Sequence, residues 1–219
     1  MPLAAGSFSL VLVALAAMEL SAATITPPRL VYDELYIQHA IEAMEQCKRD
    51  PQPQSFWRAA NSCHLARNFH LADQFMLVAI ENGASEPKAQ VALSIYLGKQ
   101  RKYAEAIVVL RRALEMPNVD SVHANLILAT WEHCIGKPTE ARKRYDDVSP
   151  DALANATHYG AAACYHVVAN NEEQVKVYLR KRLVNDDGQG RQFIAREVLF
   201  DKYRECEWFI KLIGITLVR

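Results

Sequence analysis

The sequence predicts an all-α fold of stacked antiparallel helix pairs. Apolar residues recur at helical spacing through most of the chain, and strand-like alternation is absent from its central part. A unit of about 34 residues repeats four times, which is typical of helical-repeat proteins. With only 8 Gly and 9 Pro in 219 residues, the chain also has few turn formers for an all-β fold.

The repeat is marked by one small residue in each unit. Ala106 follows Ala72 by 34 residues, Ala141 follows Ala106 by 35, and Val175 follows Ala141 by 34. Each unit places an apolar helix before a short polar turn and a second amphipathic helix after it. The fourth unit is the most irregular, since Val175 replaces alanine and Arg182 replaces a later small residue. We predict the units at residues 53–86, 87–121, 122–155 and 156–184.

Three further segments flank the repeats. Residues 1–28 form an apolar N-terminal segment, and residues 29–52 form an amphipathic lead-in helix after the break at Pro27 and Pro28. At the other end, residues 185–219 contain a loop, a long capping helix over 191–212 and an apolar tail. We expect the tail to pack on the chain itself or to dock onto another subunit.

The apolar run at residues 8–18 has three interpretations. It is shorter than the roughly 20 residues of a membrane-spanning helix. Residues 21–23 resemble the cleavage site of a signal peptide, but no basic residue precedes the run, and the first is Arg29. We favour a helix that packs on the body or on a partner, with a membrane contact through residues 8–22 as the alternative.

Composition narrows the partners and the compartment. The 25 basic and 25 acidic residues give no net charge to attract a nucleic-acid backbone, so we expect no nucleic-acid partner. The five cysteines are odd in number and show no CxxC spacing, so they do not form a disulfide framework. We therefore expect a reducing intracellular compartment, cytoplasm or organelle, and give no weight to the glycosylation sequon at Asn155.

No catalytic or cofactor motif is present in the sequence, so we expect neither enzyme activity nor a cofactor. The pair Gly188 and Gly190 lacks the spacing and the lysine of a phosphate loop. Cysteine–histidine neighbours on the predicted first helices are the nearest approach to a metal site, at Cys63–His64, His133–Cys134 and Cys164–His166. Zinc needs four converging ligands, and adjacent helical residues diverge by about 100°. We therefore predict no metal ligands in this chain. A metal-binding module that uses these residues is the least favoured alternative.

The repeat resembles the tetratricopeptide family. Residues 87–117 match the family pattern best, through Leu93, Tyr103, Ala106, Leu110, Ala113 and Pro117. Pentatricopeptide and Sel1-like repeats are related alternatives. The resemblance covers about 130 residues and implies a right-handed α-solenoid with a C-terminal capping helix.

The resemblance also implies a concave groove lined by the first helices. Carried over by register, the groove residues are Trp57, Asn61, His64, Val91, Ile95, Lys99, Leu126, Thr130 and His133. Asn61 and Lys99 stand where co-chaperones of the family clamp a carboxylate, but apolar residues replace the rest of that clamp. The groove therefore suits an amphipathic helix or an extended apolar segment, unless the chain's own terminus fills it.

These observations predict a non-catalytic scaffold that mediates protein–protein interaction, as an accessory subunit of a larger assembly. The principal alternative is a membrane-associated or exported assembly factor anchored by its N-terminal segment.

Overall fold

The computed structural model describes residues 33–84, 86–153, 155–184 and 190–214. Within these ranges the chain forms eleven α-helices and two 3₁₀ helices, and no strand. The all-α prediction is therefore confirmed. The N-terminal apolar segment, the first residues of the lead-in helix and the last five residues lie outside the described ranges. The chain divides into two compact units, with the boundary between Ala89 and Gln90.

The first unit contains three complete helices and the start of a fourth, and its middle helix packs on both neighbours. These are α1 (Asp33–Arg49), α2 (Pro53–Leu65), α3 (Phe69–Glu81) and the first residues of α4 (Pro87–Lys99). Helix α2 contacts α1 on one side and α3 on the other. Helix α1 buries a stripe at helical spacing, formed by Tyr36, Ala40, Met44 and Cys47.

The second unit continues the same order of helix pairs. It contains the rest of α4, then α5 (Tyr103–Leu114), α6 (Ser121–Cys134), α7 (Pro138–Asp146), a 3₁₀ turn at Pro150–Ala152, α8 (Ala156–Val168) and α9 (Glu172–Val184). Helix α6 contacts α5, α7 and α8, and α8 also contacts α9. Two consecutive first helices, α6 and α8, thus lie against each other. Neighbours in sequence are neighbours in space, as expected of a helical repeat.

The close approach of these helices depends on small residues. Ala129 on α6 and Ala141 on α7 are fully buried and form one core cluster with Tyr165 on α8. Alanine lets two helix backbones approach while the tyrosine ring fills the space beside them. The marker position of the repeat, Ala141, therefore has a packing role.

The turns inside the four pairs share one backbone geometry. Each first helix is followed by a residue with positive φ, at Arg67 (59°), Arg101 (63°), Gly136 (80°) and Asn170 (54°). These residues are separated by 34, 35 and 34 positions, the same intervals as the small residues of the sequence repeat. The four turns are therefore structurally equivalent.

Backbone hydrogen bonds close each of these turns in the same way. After α2, Arg67 N donates to His64 O at 2.9 Å and Asn68 N donates to Cys63 O at 2.8 Å. This pair of bonds is the Schellman motif, which satisfies carbonyls at a helix C-terminus. The same pair of bonds follows α4, α6 and α8.

The C-terminal region departs from the expected long helix. Residues 191–212 do not form one continuous helix, because the chain is divided into α10 (Gly190–Arg196), a 3₁₀ helix (Val198–Tyr203) and α11 (Glu207–Ile213). Glu197 has an extended backbone (ψ 116°), and its carboxylate accepts a hydrogen bond from Leu199 N. The break lets apolar residues from all three short helices reach one core.

The three short helices cap the last pair. Ile194, Phe200 and Phe209 are completely buried. Their core cluster also contains residues of α8 and α9, namely Ala163, Val167, Val175 and Leu179. The predicted cap is thus present in a different secondary structure.

Candidate protein-interaction surfaces

Three of the predicted groove residues lie on α2 in the first unit. The buried face of this helix carries Ser55, Phe56, Ala59, Ala60 and Cys63. At about 100° per residue, Trp57, Asn61 and His64 project from the opposite face. Trp57 and His64 are half-buried and Asn61 is exposed. Leu65 continues this face and is 40% exposed, so α2 presents an accessible surface with apolar parts.

The three predicted groove residues of α4 are less accessible. Val91 is buried and Ile95 is half-buried. The ammonium group of Lys99 forms an ion pair with the carboxylate of Glu197, and both side chains are only 5% exposed. The groove prediction places Lys99 against a partner protein. In this structure Lys99 instead pairs with the chain's own C-terminal segment, residues 190–214.

The prediction for α6 requires a correction. Leu126 and Thr130 were expected on an open groove, but both are buried, at 0% and 2% exposure. Because α6 packs against three other helices, it buries every residue from Leu126 to Glu132. The Thr130 hydroxyl donates to Leu126 O at 2.9 Å and so needs no outside partner. His133 is half-buried and its ring lies edge-on to Tyr165.

The C-terminal segment also covers α8. A Cβ atom at Gly160 would lie 3.1 Å from the ring of Phe193. Further along α8, Lys202 Nζ donates to Val167 O at 2.9 Å and to Asn170 Oδ1 at 3.1 Å. This face of α8 is therefore covered by the chain itself.

The thiols near these surfaces are held in their neutral form. Burial raises the pKa of Cys47 to about 11 and that of Cys63 to about 12. Burial also raises the pKa of Cys164 well above its usual value, and the nearby Glu197 carboxylate adds to this effect. The thiolate is the nucleophile and the metal ligand, so these environments disfavour both roles at neutral pH.

Within the part of the chain that the structure describes, no three histidine, cysteine or acidic side chains converge as a metal site would require. In the same residues, no helix has the length and apolar character needed to cross a bilayer. Residues 8–22, the predicted membrane contact, lie outside the described ranges.

Sequence reasoning missed an aromatic cluster between the last two pairs. Tyr145 donates from its hydroxyl to that of Tyr178 at 2.8 Å, and its oxygen lies 2.9 Å from His166 Nε2. Tyr145 and Tyr178 also line a small cavity of about 110 Å³. Burial lowers the pKa of His166 to about 4 and raises that of Tyr145 above its usual value. Both groups are therefore neutral at physiological pH.

Sequence reasoning also missed the buried acid Glu132. Glu132 is 2% exposed, and its carboxylate accepts hydrogen bonds from Arg144 Nε at 2.8 Å and from Arg111 Nη2 at 3.2 Å. Burial alone would raise the pKa of Glu132, but the arginines lower it overall. Helical spacing places Glu132 among the apolar residues of α6. An acid at such a position was the only signal in the sequence that it is buried.

Comparison with protein-family models gives no match for this sequence, and comparison with curated proteins also gives none.

Proposed function

We propose that this protein is a non-catalytic adaptor of the tetratricopeptide type, which holds other proteins together as an accessory subunit of a larger assembly. The family assignment is supported by the four equivalent turns at intervals of 34 and 35 residues. Helix pairs that stack in chain order provide extended surface rather than an enclosed pocket.

The observation that carries the proposal is the accessible face of α2, which is formed by Trp57, Asn61, His64 and Leu65. It combines a half-buried indole at Trp57 with the exposed side chains of Asn61 and Leu65. Interface centres are enriched in aromatic residues, and tryptophan is prominent among those that dominate binding energy. The proposed partner is a protein that contributes an amphipathic helix or an extended apolar segment to this face.

The raised pKa values of the buried thiols support the non-catalytic part of the proposal, because they remove the best candidate nucleophiles at neutral pH.

The test compares two exposed leucines of the same unit. The full chain and the variants Trp57→Glu, Leu65→Glu and Leu77→Glu are used to recover partners from native extract, with quantification by mass spectrometry. Leu77 on α3 is 44% exposed, close to the 40% of Leu65, so its substitution is a matched control. Loss of the same partners from the Trp57 and Leu65 variants alone, with unchanged helical circular dichroism, supports the proposal. Equal recovery by all variants would exclude the α2 face as the binding surface.

A further inference from the structure

Apolar residues of the C-terminal segment share a core with α8 and α9. Beside that core, three side chains of different chemistry also hold the segment in place. Phe193 lies over Gly160, Glu197 pairs with Lys99, and Lys202 binds the end of α8. The carboxylate follows the aromatic ring by four residues, and the cation follows the carboxylate by five.

Each of these side chains contacts a group that favours its chemical type. Gly160 has no side chain and leaves room for a ring, and the guanidinium of Arg182 lies 4.3 Å from the centre of the Phe193 ring. A cation over an aromatic face is attractive and favours an aromatic residue at this point.

The second subsite requires an acid. The Lys99 side chain is 5% exposed, and an ammonium group removed from water is costly unless a carboxylate meets it. The third subsite is the C-terminal end of α8, where Val167 O and the Asn170 side chain accept from an ammonium group. Carbonyls at a helix C-terminus carry partial negative charge and favour a cation.

The ion pair is the informative part of this contact. Apolar residues of similar size would serve a purely structural cap equally well or better, because they avoid the desolvation of two charges. Helix α10 has only seven residues, too few to be stable alone. The receiving face therefore imposes the helical shape of the segment.

We infer that Lys99, Gly160, Arg182 and the C-terminus of α8 form a peptide-binding site, which residues 190–203 occupy in cis. The partner segment that this site takes in trans carries the same pattern: an aromatic residue, a carboxylate four residues later and a basic residue five residues after that. The inference rests on the proposed function in that the chain binds protein segments, but it concerns a different surface from α2.

Competition in cis sets the expected affinities. A tethered segment acts at high effective concentration, so it lowers the apparent affinity for the same segment added in trans. The apparent dissociation constant rises by the inverse of the fraction of molecules whose site is open. Weakening the cis contact should therefore strengthen binding in trans.

The experiment uses the full chain and a fluorescent synthetic peptide with the sequence of residues 190–213. Fluorescence anisotropy measures binding to the wild type and to the Glu197→Lys variant, in which like charges oppose each other across the cis contact. We expect the variant to bind the peptide at least tenfold more tightly than the wild type. The matched control is Glu205→Lys, a charge reversal at an exposed acid just after residues 190–203. It should bind as the wild type does.

Charge exchange tests the site itself. A Lys99→Glu chain should lose the wild-type peptide and gain a peptide carrying Glu197→Lys. Binding that ignores the sign at Lys99 would overturn the inference, as would failure of a folded Glu197→Lys chain to bind the peptide. If that variant does not fold, Phe193→Ala weakens the cis contact at a half-buried ring outside the innermost core, and the same two outcomes apply to it.

The two proposals fail separately. Trp57→Glu should leave the affinity for the peptide unchanged. Loss of the α2 partners would therefore bear on the adaptor role, and loss of peptide binding would bear only on this site.

Discussion

The indole ring of Trp131 on α6 lies directly against the backbone of α4 at Gly98. A Cβ atom at Gly98 would overlap with three atoms of that ring. Trp131 is 4% exposed and also packs on Tyr103, with ring centres 5.6 Å apart. The absence of a side chain at one residue thus sets how closely two first helices approach.

Gly98→Ala should therefore destabilise the protein, although alanine favours helices over glycine. We expect the free energy of unfolding to fall by about 1–3 kcal/mol, the usual cost of overpacking. Chemical denaturation measures this change. In the Gly98→Ala/Trp131→Leu double variant the added methyl group should cost less than it does beside the indole. An equal cost in both backgrounds would show that the overlap is not the cause.

The buried acid Glu132 provides a second prediction. Glu132→Gln keeps the shape of the side chain but weakens its bonds to Arg111 and Arg144, so we expect a loss of about 1–3 kcal/mol in the free energy of unfolding. The control is Asp146→Asn in the exposed pair with Arg142, where the side chains are 65% and 50% exposed. That substitution should change stability by no more than about 0.5 kcal/mol. Equal effects at the two sites would contradict the role assigned to burial.

His166 predicts a pH dependence of stability. Burial lowers the pKa of His166 from 6.5 to about 4. Between pH 4 and pH 6.5 the unfolded chain therefore binds a proton at this residue more readily than the folded chain does. The contribution of His166 is therefore complete above pH 6.5 and is lost as the pH falls toward 4, by on the order of 3 kcal/mol. The measurement is urea denaturation at several pH values for the wild type and His166→Gln. A stability difference between the two proteins that does not change with pH would refute this assignment.

The pair formed by Lys99 and Glu197 should show strong coupling. Lys99→Met leaves the Glu197 carboxylate buried without its cation, and we expect this to cost about 3–5 kcal/mol. The Lys99→Met/Glu197→Leu double variant removes both charges and should be more stable than Lys99→Met alone. A double-mutant cycle measured by denaturation gives the coupling energy, and additive effects would mean that the two side chains do not interact in solution.

Much of the fold was predictable because it depends on local signals. Pro53 and Pro87 begin α2 and α4, and Asn68 caps α3 by accepting a hydrogen bond from Leu71 N. Prolines and capping side chains act within one turn of the helix that they start, so their effect can be read from a single sequence.

The candidate site was less predictable. Register placed Lys99 and Leu126 on one groove, yet one of them is paired in cis and the other is in the core. Position in a repeat specifies a direction on a helix, but it does not specify what lies in that direction. The break in the helix at Glu197 was missed for the same reason. The break is caused by the core that residues before and after Glu197 share, and the sequence pattern does not show that core.

The sequence by itself determined the helical period, the four pairs and the places where the chain turns, because hydrophobic spacing, small residues and terminal prolines act over a few neighbouring residues. Only the tertiary structure decided that three short helices cap the last pair and that Glu197 meets Lys99, 98 residues away. Contacts of that kind depend on which surfaces remain uncovered after the helices have packed. That information is spread over the whole chain and is not contained in any one segment of it.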